Sequence, residues 1–239
     1  MSVTEELFLP VLRSAPARPL ITFYDDAEGS RIELSAATMA NWAAKTANWL
    51  TEEIELEPGA GVAVLLPAHW QTLAVLLGAW WCGATVLAEP DDCAVAFVTE
   101  AAAGDGAEST AVLSLDPMGR GLRTAPEGGA YDFVEESRSY GDDFRPLQPI
   151  SAESLALRGC SVEQTVATAR RRAGELGFTA RSRILSTMEW RLDGSAVEGL
   201  TDGLLAVLAS GASLVQSAHT DPARLAGRAS TERTTHTLS

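Results

Sequence analysis

Lysine is almost missing: Lys45 is the only one in 239 residues, and arginine carries nearly all the basic charge. That bias reflects codon use in a G+C-rich genome, not function. Basic charge as a whole is scarce, with 18 residues against 32 acidic ones and a formal charge of -14. A surface of that sign repels nucleic-acid phosphates and anionic membranes, so neither is expected as a partner. Cys82, Cys93 and Cys160, like His69, His219 and His236, are scattered without CxxC or paired-histidine spacing. Such spacing writes no metal site, and the odd cysteine count fits free thiols in a reducing cytoplasm. The first 19 residues lack the basic start and apolar core of a signal peptide, so no export is expected.

Long hydrophobic runs are also few. One, TLAVLLGAWWCGATVLA at 72–88, has 17 residues without a charge, at the short edge of a spanning helix. Gly83-Ala84 and the β-favouring Thr85-Val86-Leu87 divide it, and no Lys or Arg flanks it. It reads as a buried helix followed by a strand.

Apolar residues make up 46% of the chain, enough to fill a real core. Residues 3–14 read as a helix kinked at Pro10, 20–24 and 31–34 as a hairpin, and 35–51 as a helix capped by Ser35. Pro58 to Gly61 break the chain and launch the unbroken apolar run 62–66, of the kind buried in a parallel sheet. A helix over 69–82 and a strand over 85–88 follow. The middle is weaker: strands over 94–99 and 110–115, a short helix over 131–138 and a linker over 141–149.

The last third repeats the first. A helix over 161–176 and a strand over 183–187 lead to LLAVLASGASLV at 204–215, which parallels LLGAWWCGATVL at 76–87. The shared pattern, two leucines, five residues, then Gly-Ala-Ser/Thr, marks a duplicated helix-strand-helix-strand unit. The fold class that follows is α/β, with two pseudo-symmetric lobes, mainly parallel sheets and covering helices. The lobes are expected at 1–145 and 146–239.

The same residues carry a family resemblance. Residues 32–90, with EPGAGVAVLLP at 57–67 and LLGAWWCGATV at 76–86, resemble the N-terminal part of the AMP-forming acyl-CoA synthetases, the adenylate-forming enzyme superfamily. Residues 159–215 are similar to the family segment running from just after its phosphate loop to a Gly-Ala-strand junction, and 221–238 to the helix and strand beyond. The resemblance implies the fold of the N-terminal subdomains of those enzymes. It also implies a Thr/Ser/Gly-rich phosphate loop ending in Pro-Lys-Gly before the helix near Ser161. Here that interval reads Ala156-Leu157-Arg158-Gly159-Cys160, without glycine-rich backbone or lysine to neutralise a triphosphate. Where the family has an aromatic-His pair lining its acyl pocket, this chain has Met188-Glu189-Trp190-Arg191. Its sequence stops before the family's later nucleotide-binding motifs and the lysine-bearing C-terminal domain.

Other chemistries are thinner still. Gly159-Cys160-Ser161-Val162-Glu163 is not a G-x-S-x-G elbow, and Ser161 reads as a helix cap. Gly119-Arg120-Gly121 neither follows a strand directly nor opens a helix, so it is no dinucleotide fingerprint. Arg170-Arg171-Arg172 reads as a solvated basic face, Asp91-Asp92 and Asp142-Asp143 as turn residues, and most tryptophans as core, with Trp70 a candidate for a cleft wall. No catalytic, cofactor-binding or metal-ligating residue is assigned. A vestigial pocket is expected around Leu157, Glu189 and Trp190. No cofactor is expected, ATP or AMP entering only in an altered mode. The readings carried forward are three: a non-catalytic relative binding a small molecule or a protein, an altered or split adenylating enzyme needing a second chain, and a structural or assembly protein whose Trp-rich faces pair with another copy or another protein.

Overall fold

Pro10 shapes the first element. A π-wound turn, Thr4–Phe8, runs into α1 (Leu9–Ser14), and Pro10 falls in the first turn of α1, where its missing N–H is tolerated. The computed structural model describes residues 1–102, 106–190, 192 and 197–239. After α1 come β1 (Pro19–Asp25), β2 (Ser30–Ser35), α2 (Ala36–Glu52), β3 (Gly61–Val64), α3 (Trp70–Cys82), β4 (Thr85–Leu87) and β5 (Val95–Thr99). The middle holds β6 (Ser109–Leu113), β7 (Tyr131–Asp132), α4 (Phe133–Ser137), β8 (Leu155–Leu157) and β9 (Cys160–Ser161). The last third is α5 (Val162–Glu175), β10 (Arg183–Ser186), α6 (Val197–Leu200), a second π-wound turn (Thr201–Leu205), α7 (Ala206–Ser210), β11 (Ser213–Ala218), α8 (Pro222–Glu232) and β12 (His236–Leu238). The apolar run at 72–88 thus divides between α3 and β4. Among the described residues, no helix is long and apolar enough to cross a membrane.

Two compact units emerge. The first comprises Met1–Glu5, Ala40–Leu66 and Gln71–Thr165, and the second Glu6–Met39, Pro67–Trp70 and Val166–Ser239. They differ from a single cut at 145–146 because β1, near the N-terminus, pairs in parallel with β11 from Ile21↔Leu214 to Asp25↔Ala218. That pairing draws the β1–β2 hairpin into the second unit.

In the first unit seven strands run in the order β7-β6-β5-β3-β4-β8-β9, all parallel except the β8–β9 hairpin. Trp49 of α2 anchors this core edge-on to Phe97 of β5 and Phe133 of α4, with ring centroids 5.8 and 5.2 Å apart. Trp80 is buried with its indole N–H donated to the Ala156 carbonyl at 2.9 Å. The second unit has the order β12-β10-β11-β1-β2, parallel but for β2.

The repeat inferred from sequence is present down to its hydrogen bonds. Gly83 and Gly211 both adopt left-handed backbone, with φ of 90° and 70°. In each case the next alanine N–H reaches back five residues, Ala84 to the Ala79 carbonyl at 2.9 Å and Ala212 to the Val207 carbonyl at 3.1 Å. This is the glycine-terminated helix end that releases the chain into a strand. The strands then register alike, Gly61↔Thr85 in one unit and Arg183↔Ser213 in the other. Since a Cβ is disfavoured at that φ, Gly211→Ala is expected to cost about 1 kcal/mol, read as a lower urea midpoint by circular dichroism.

Candidate functional site

In open α/β sheets, ligands approach the carboxyl ends of the strands. At that end of β10 in the second unit, the chain runs on through Thr187, Met188, Glu189 and Trp190. Met188 is fixed twice: its N–H donates to Ser186 Oγ at 3.1 Å, and its carbonyl accepts Gln216 Nε2 at 3.0 Å. The Glu189 carboxylate accepts the Ala68 N–H at 3.1 Å. His69, beside it, is buried against Phe23 of β1 in an edge contact at 4.3 Å.

Two glycines one helical turn apart admit this segment. A side chain at Gly199 would overlap the Glu189 carbonyl oxygen, and a Cβ at Gly203 would lie 3.4 Å from Met188 Cβ and Trp190 Nε1. Trp190 is only 3% exposed, and among the described residues neither its indole N–H nor Gln216 Oε1 has a hydrogen-bond partner. Buried donors and acceptors of that kind are rare in folded proteins, and here an unfilled donor and an unfilled acceptor both flank Met188.

Of the residues expected at a pocket, Glu189 and Trp190 therefore lie together in the second unit. Leu157 belongs to the first unit, on β8, opposite Val86 of β4. Arg191 lies outside the described residues. Gln216, Gly199 and Gly203 were not singled out from sequence; the glycine pair four residues apart on one helix was the available signal. Trp70, the candidate cleft wall, is instead 1% exposed.

The segment resembling the phosphate-loop position has a definite structure in the first unit. β8 and β9 form a hairpin whose two-residue turn is Arg158-Gly159, with Gly159 at φ 72° and Leu157 opposite Cys160. α5 begins at once, and its leading N–H groups are occupied. Val162 donates to the Ser154 carbonyl at 2.9 Å, Glu163 to the Ala152 carbonyl at 3.0 Å and Gln164 to Ser161 Oγ at 3.2 Å. Gln164 Oε1 in turn accepts the Ser161 N–H at 3.0 Å, completing a reciprocal capping box. Ser161 is thus a cap, as its sequence context suggests. Arg158 reaches Glu89 at 2.9 Å, and Lys45 holds the Tyr140 carbonyl at 2.6 Å and Asp142 at 3.0 Å.

The arginine run is paired, not merely solvated. Arg170 meets Glu6 at 2.7 Å, Arg171 meets Glu175 at 2.6 Å, and Arg172 grips Asp202 with two nitrogens at 2.8 and 2.5 Å. Among the described residues, no group of three or more His, Cys, Asp or Glu side chains is placed to hold a metal ion. Burial pushes the Cys82 thiol up to about 12, which keeps it protonated and unreactive.

No family model matches the chain. A protein of Mycobacterium tuberculosis (strain ATCC 25618 / H37Rv), described as a TIGR03089 family protein, is 46% identical over 238 residues, covering 96% of this chain and 95% of that protein. Among solved structures, Brucella canis acyl-CoA synthetase matches 99% of this chain and 47% of its own with a TM-score of 0.80 at 15% identity. The anthranilate CoA ligase AuaEII, in complex with anthranoyl-AMP, matches 97% and 47% at 0.70 and 14% identity. A benzoate CoA ligase from Burkholderia xenovorans LB400 matches 99% and 50% at 0.71 and 13% identity. The chain spans about half the length of these ligases, and it has the fold of the N-terminal domains of adenylate-forming enzymes.

Proposed function

The chain belongs to the TIGR03089 family, and from that premise we propose that it is a non-catalytic relative of the acyl-CoA synthetases that acts by binding a small molecule or a protein. The observation that carries this reading is the β8-turn-β9-α5 junction. A helix start binds phosphate through free backbone N–H groups, helped by glycine-rich backbone and a cation. Here the first three N–H groups of α5 are consumed by Ser154, Ala152 and Ser161, and the approach is a two-residue turn. Neither a glycine-rich loop nor a lysine precedes the helix, so nothing at this junction resembles a triphosphate cradle.

ATP and AMP are accordingly not expected to bind in the manner of the synthetases. A small-molecule ligand is best supported at the Met188–Trp190 segment of the second unit, where, among the described residues, Trp190 Nε1 and Gln216 Oε1 have no hydrogen-bond partner. The three free thiols favour a reducing, cytoplasmic setting.

The test is thermal unfolding with Mg-ATP, alongside ATP-pyrophosphate exchange with mixed carboxylic acids. A ligand at about 100 times its Kd stabilises a fold by about 2.7 kcal/mol, which is easily read as a shifted midpoint. The expected result is an unmoved midpoint and no exchange above a protein-free blank. A clear ATP-dependent rise or exchange would overturn the reading. A second reading, an adenylating enzyme completed by a separate chain, draws on the half-length match to the solved ligases and predicts ATP binding only after such a chain is added.

A further inference from the structure

Between α4 and β8 of the first unit, residues 138–149 form neither helix nor strand. They run from the buried Ser137 to the buried Ile150, and no residue between the two is fully buried. Tyr140, Phe144 and Pro146 are half-buried, and Leu147 is 90% exposed. Among the described residues, no backbone-to-backbone hydrogen bond involves residues 141–149, the stretch expected from sequence to be a linker.

Side chains of α2 fasten this segment instead. Lys45 Nζ donates to the Tyr140 carbonyl at 2.6 Å and the Arg138 carbonyl at 3.5 Å, and it pairs with Asp142 at 3.0 Å. One helical turn on, Asn48 Nδ2 donates to the Gly141 and Asp143 carbonyls, each at 3.0 Å. Phe144 then meets Trp81 of α3 edge-on, with ring centroids 5.7 Å apart. Three acceptors around one nitrogen suit a tetrahedral ammonium with its three donors, an arrangement the planar fork of a guanidinium does not match. In a chain that otherwise uses arginine throughout, the single lysine thus stands where arginine would serve poorly.

Under the segment lies a cavity of about 360 Å³, walled by Thr51, Leu56 and Cys82 on one side and by Phe144, Pro146 and Leu147 on the other. Local opening is easiest where little apolar surface is buried and few backbone bonds must break. Both conditions hold here, so closure rests on two polar side chains of one helix and one ring contact. We propose that residues 138–149 are a strap that opens and closes as a unit, with Lys45 and Asn48 as its latch. Opening uncovers Trp81 and Cys82 and turns the cavity into an accessible apolar site while the sheet stays folded. The proposal is independent of the reading of the β8–α5 junction.

The test reacts the full chain with N-ethylmaleimide under native conditions and follows Cys82 and Cys93 by peptide mass spectrometry, each rate normalised to that of the urea-unfolded chain. Cys82 lines the cavity, whereas Cys93 is buried in the cluster with Ala63, Ala96 and Val98 and reports opening of the core. In the wild type, Cys82 is expected to react at least about tenfold faster than Cys93. Lys45→Arg and Asn48→Ala are each expected to speed Cys82 by about a further tenfold and to change Cys93 by less than about twofold. Arg171→Gln, which removes a cation from α5, is expected to move both rates by less than about twofold. Asn48→Ala keeps the Lys45 ion pair and tests the latch by itself if Lys45→Arg does not fold. Three outcomes overturn the proposal: equal rates at the two cysteines in the wild type, an unmoved Cys82 rate in the latch variants, or a matching rise at Cys93, which makes the loss global.

Discussion

Replacing Gly78 by alanine is expected to lower the thermal midpoint by roughly 4–8 °C, although alanine is the better helix former. Gly78 lies in α3 where it crosses α2. A Cβ there would overlap Thr46 Cβ and sit 2.6 Å from Thr46 Cγ2 and 2.7 Å from the Ala43 carbonyl oxygen. The carbonyl is backbone and the threonine atoms are at the root of a side chain held by its own bond to the Trp42 carbonyl at 2.9 Å, so neither yields without moving the helix. Overpacking of this kind costs typically about 1–3 kcal/mol and more against backbone, which outweighs the roughly 1 kcal/mol that alanine returns in propensity. Gly174→Ala in α5 and Gly227→Ala in α8 meet nothing within 4 Å and supply the contrast. Each is expected to gain about 0.5–1 kcal/mol, so circular-dichroism melts should separate Gly78 from both in sign. A Gly78→Ala midpoint at or above wild type would show that the α2–α3 approach is not as close as the contact requires.

Glu232 underlies the second large effect. Its carboxylate sits at the end of α8, 6% exposed, and accepts the Tyr24 hydroxyl at 2.5 Å, Arg31 Nε at 3.0 Å and the Arg183 guanidinium. Burial by itself would raise its pKa; the bonds from Tyr24, Arg183 and Arg31 prevail and hold it at about 2. Asp26 is set the same way, its hydrogen bond from Arg228 at 2.6 Å being the main cause of a lowered pKa. Arg228 also lies over the Tyr24 ring, 4.2 Å from its centre, tying the two carboxylates into one assembly.

Because the folded value for Glu232 lies below the ordinary 4.5, the unfolded chain binds more protons between them. The stabilisation is complete above about pH 4.5 and drains away as pH falls toward 2, an overall change on the order of 3 kcal/mol. Glu232→Ala strands Arg183 and Tyr24 in a buried setting and is expected to cost about 3–5 kcal/mol at neutral pH. Glu232→Gln is expected to destabilise less and to flatten the acid limb of stability against pH. Urea unfolding from pH 7 down to pH 3 measures both. An acid limb identical in wild type and Glu232→Gln would remove Glu232 as its source.

Both predictions depend on neighbours distant in sequence, and this marks how far the sequence could be read. The short-range signals held: Ser35 and Ser161 start their helices, Gly83 and Gly211 end theirs, and the two Gly-Ala-strand junctions repeat hydrogen bond for hydrogen bond. Each acts within about six residues, the range over which a cap, a turn or an αL glycine satisfies backbone groups. Glu189 and Trp190 were singled out from the sequence, whereas Gln216, Gly199 and Gly203, which meet the 188–190 segment, were not. Those residues come from other elements whose approach no local pattern states.

Amino-acid order alone thus determined the α/β character and the duplicated unit, because these are local or compositional. Only the tertiary structure decided that residues 6–39 join the second unit, that Trp70 is core, that the arginines at 170–172 are each paired, and that Glu232 meets Tyr24 and Arg31 some 200 positions away. Strand order and loop closure select such partners, and the free energy that selects them is shared across the whole sheet, not written at any one residue.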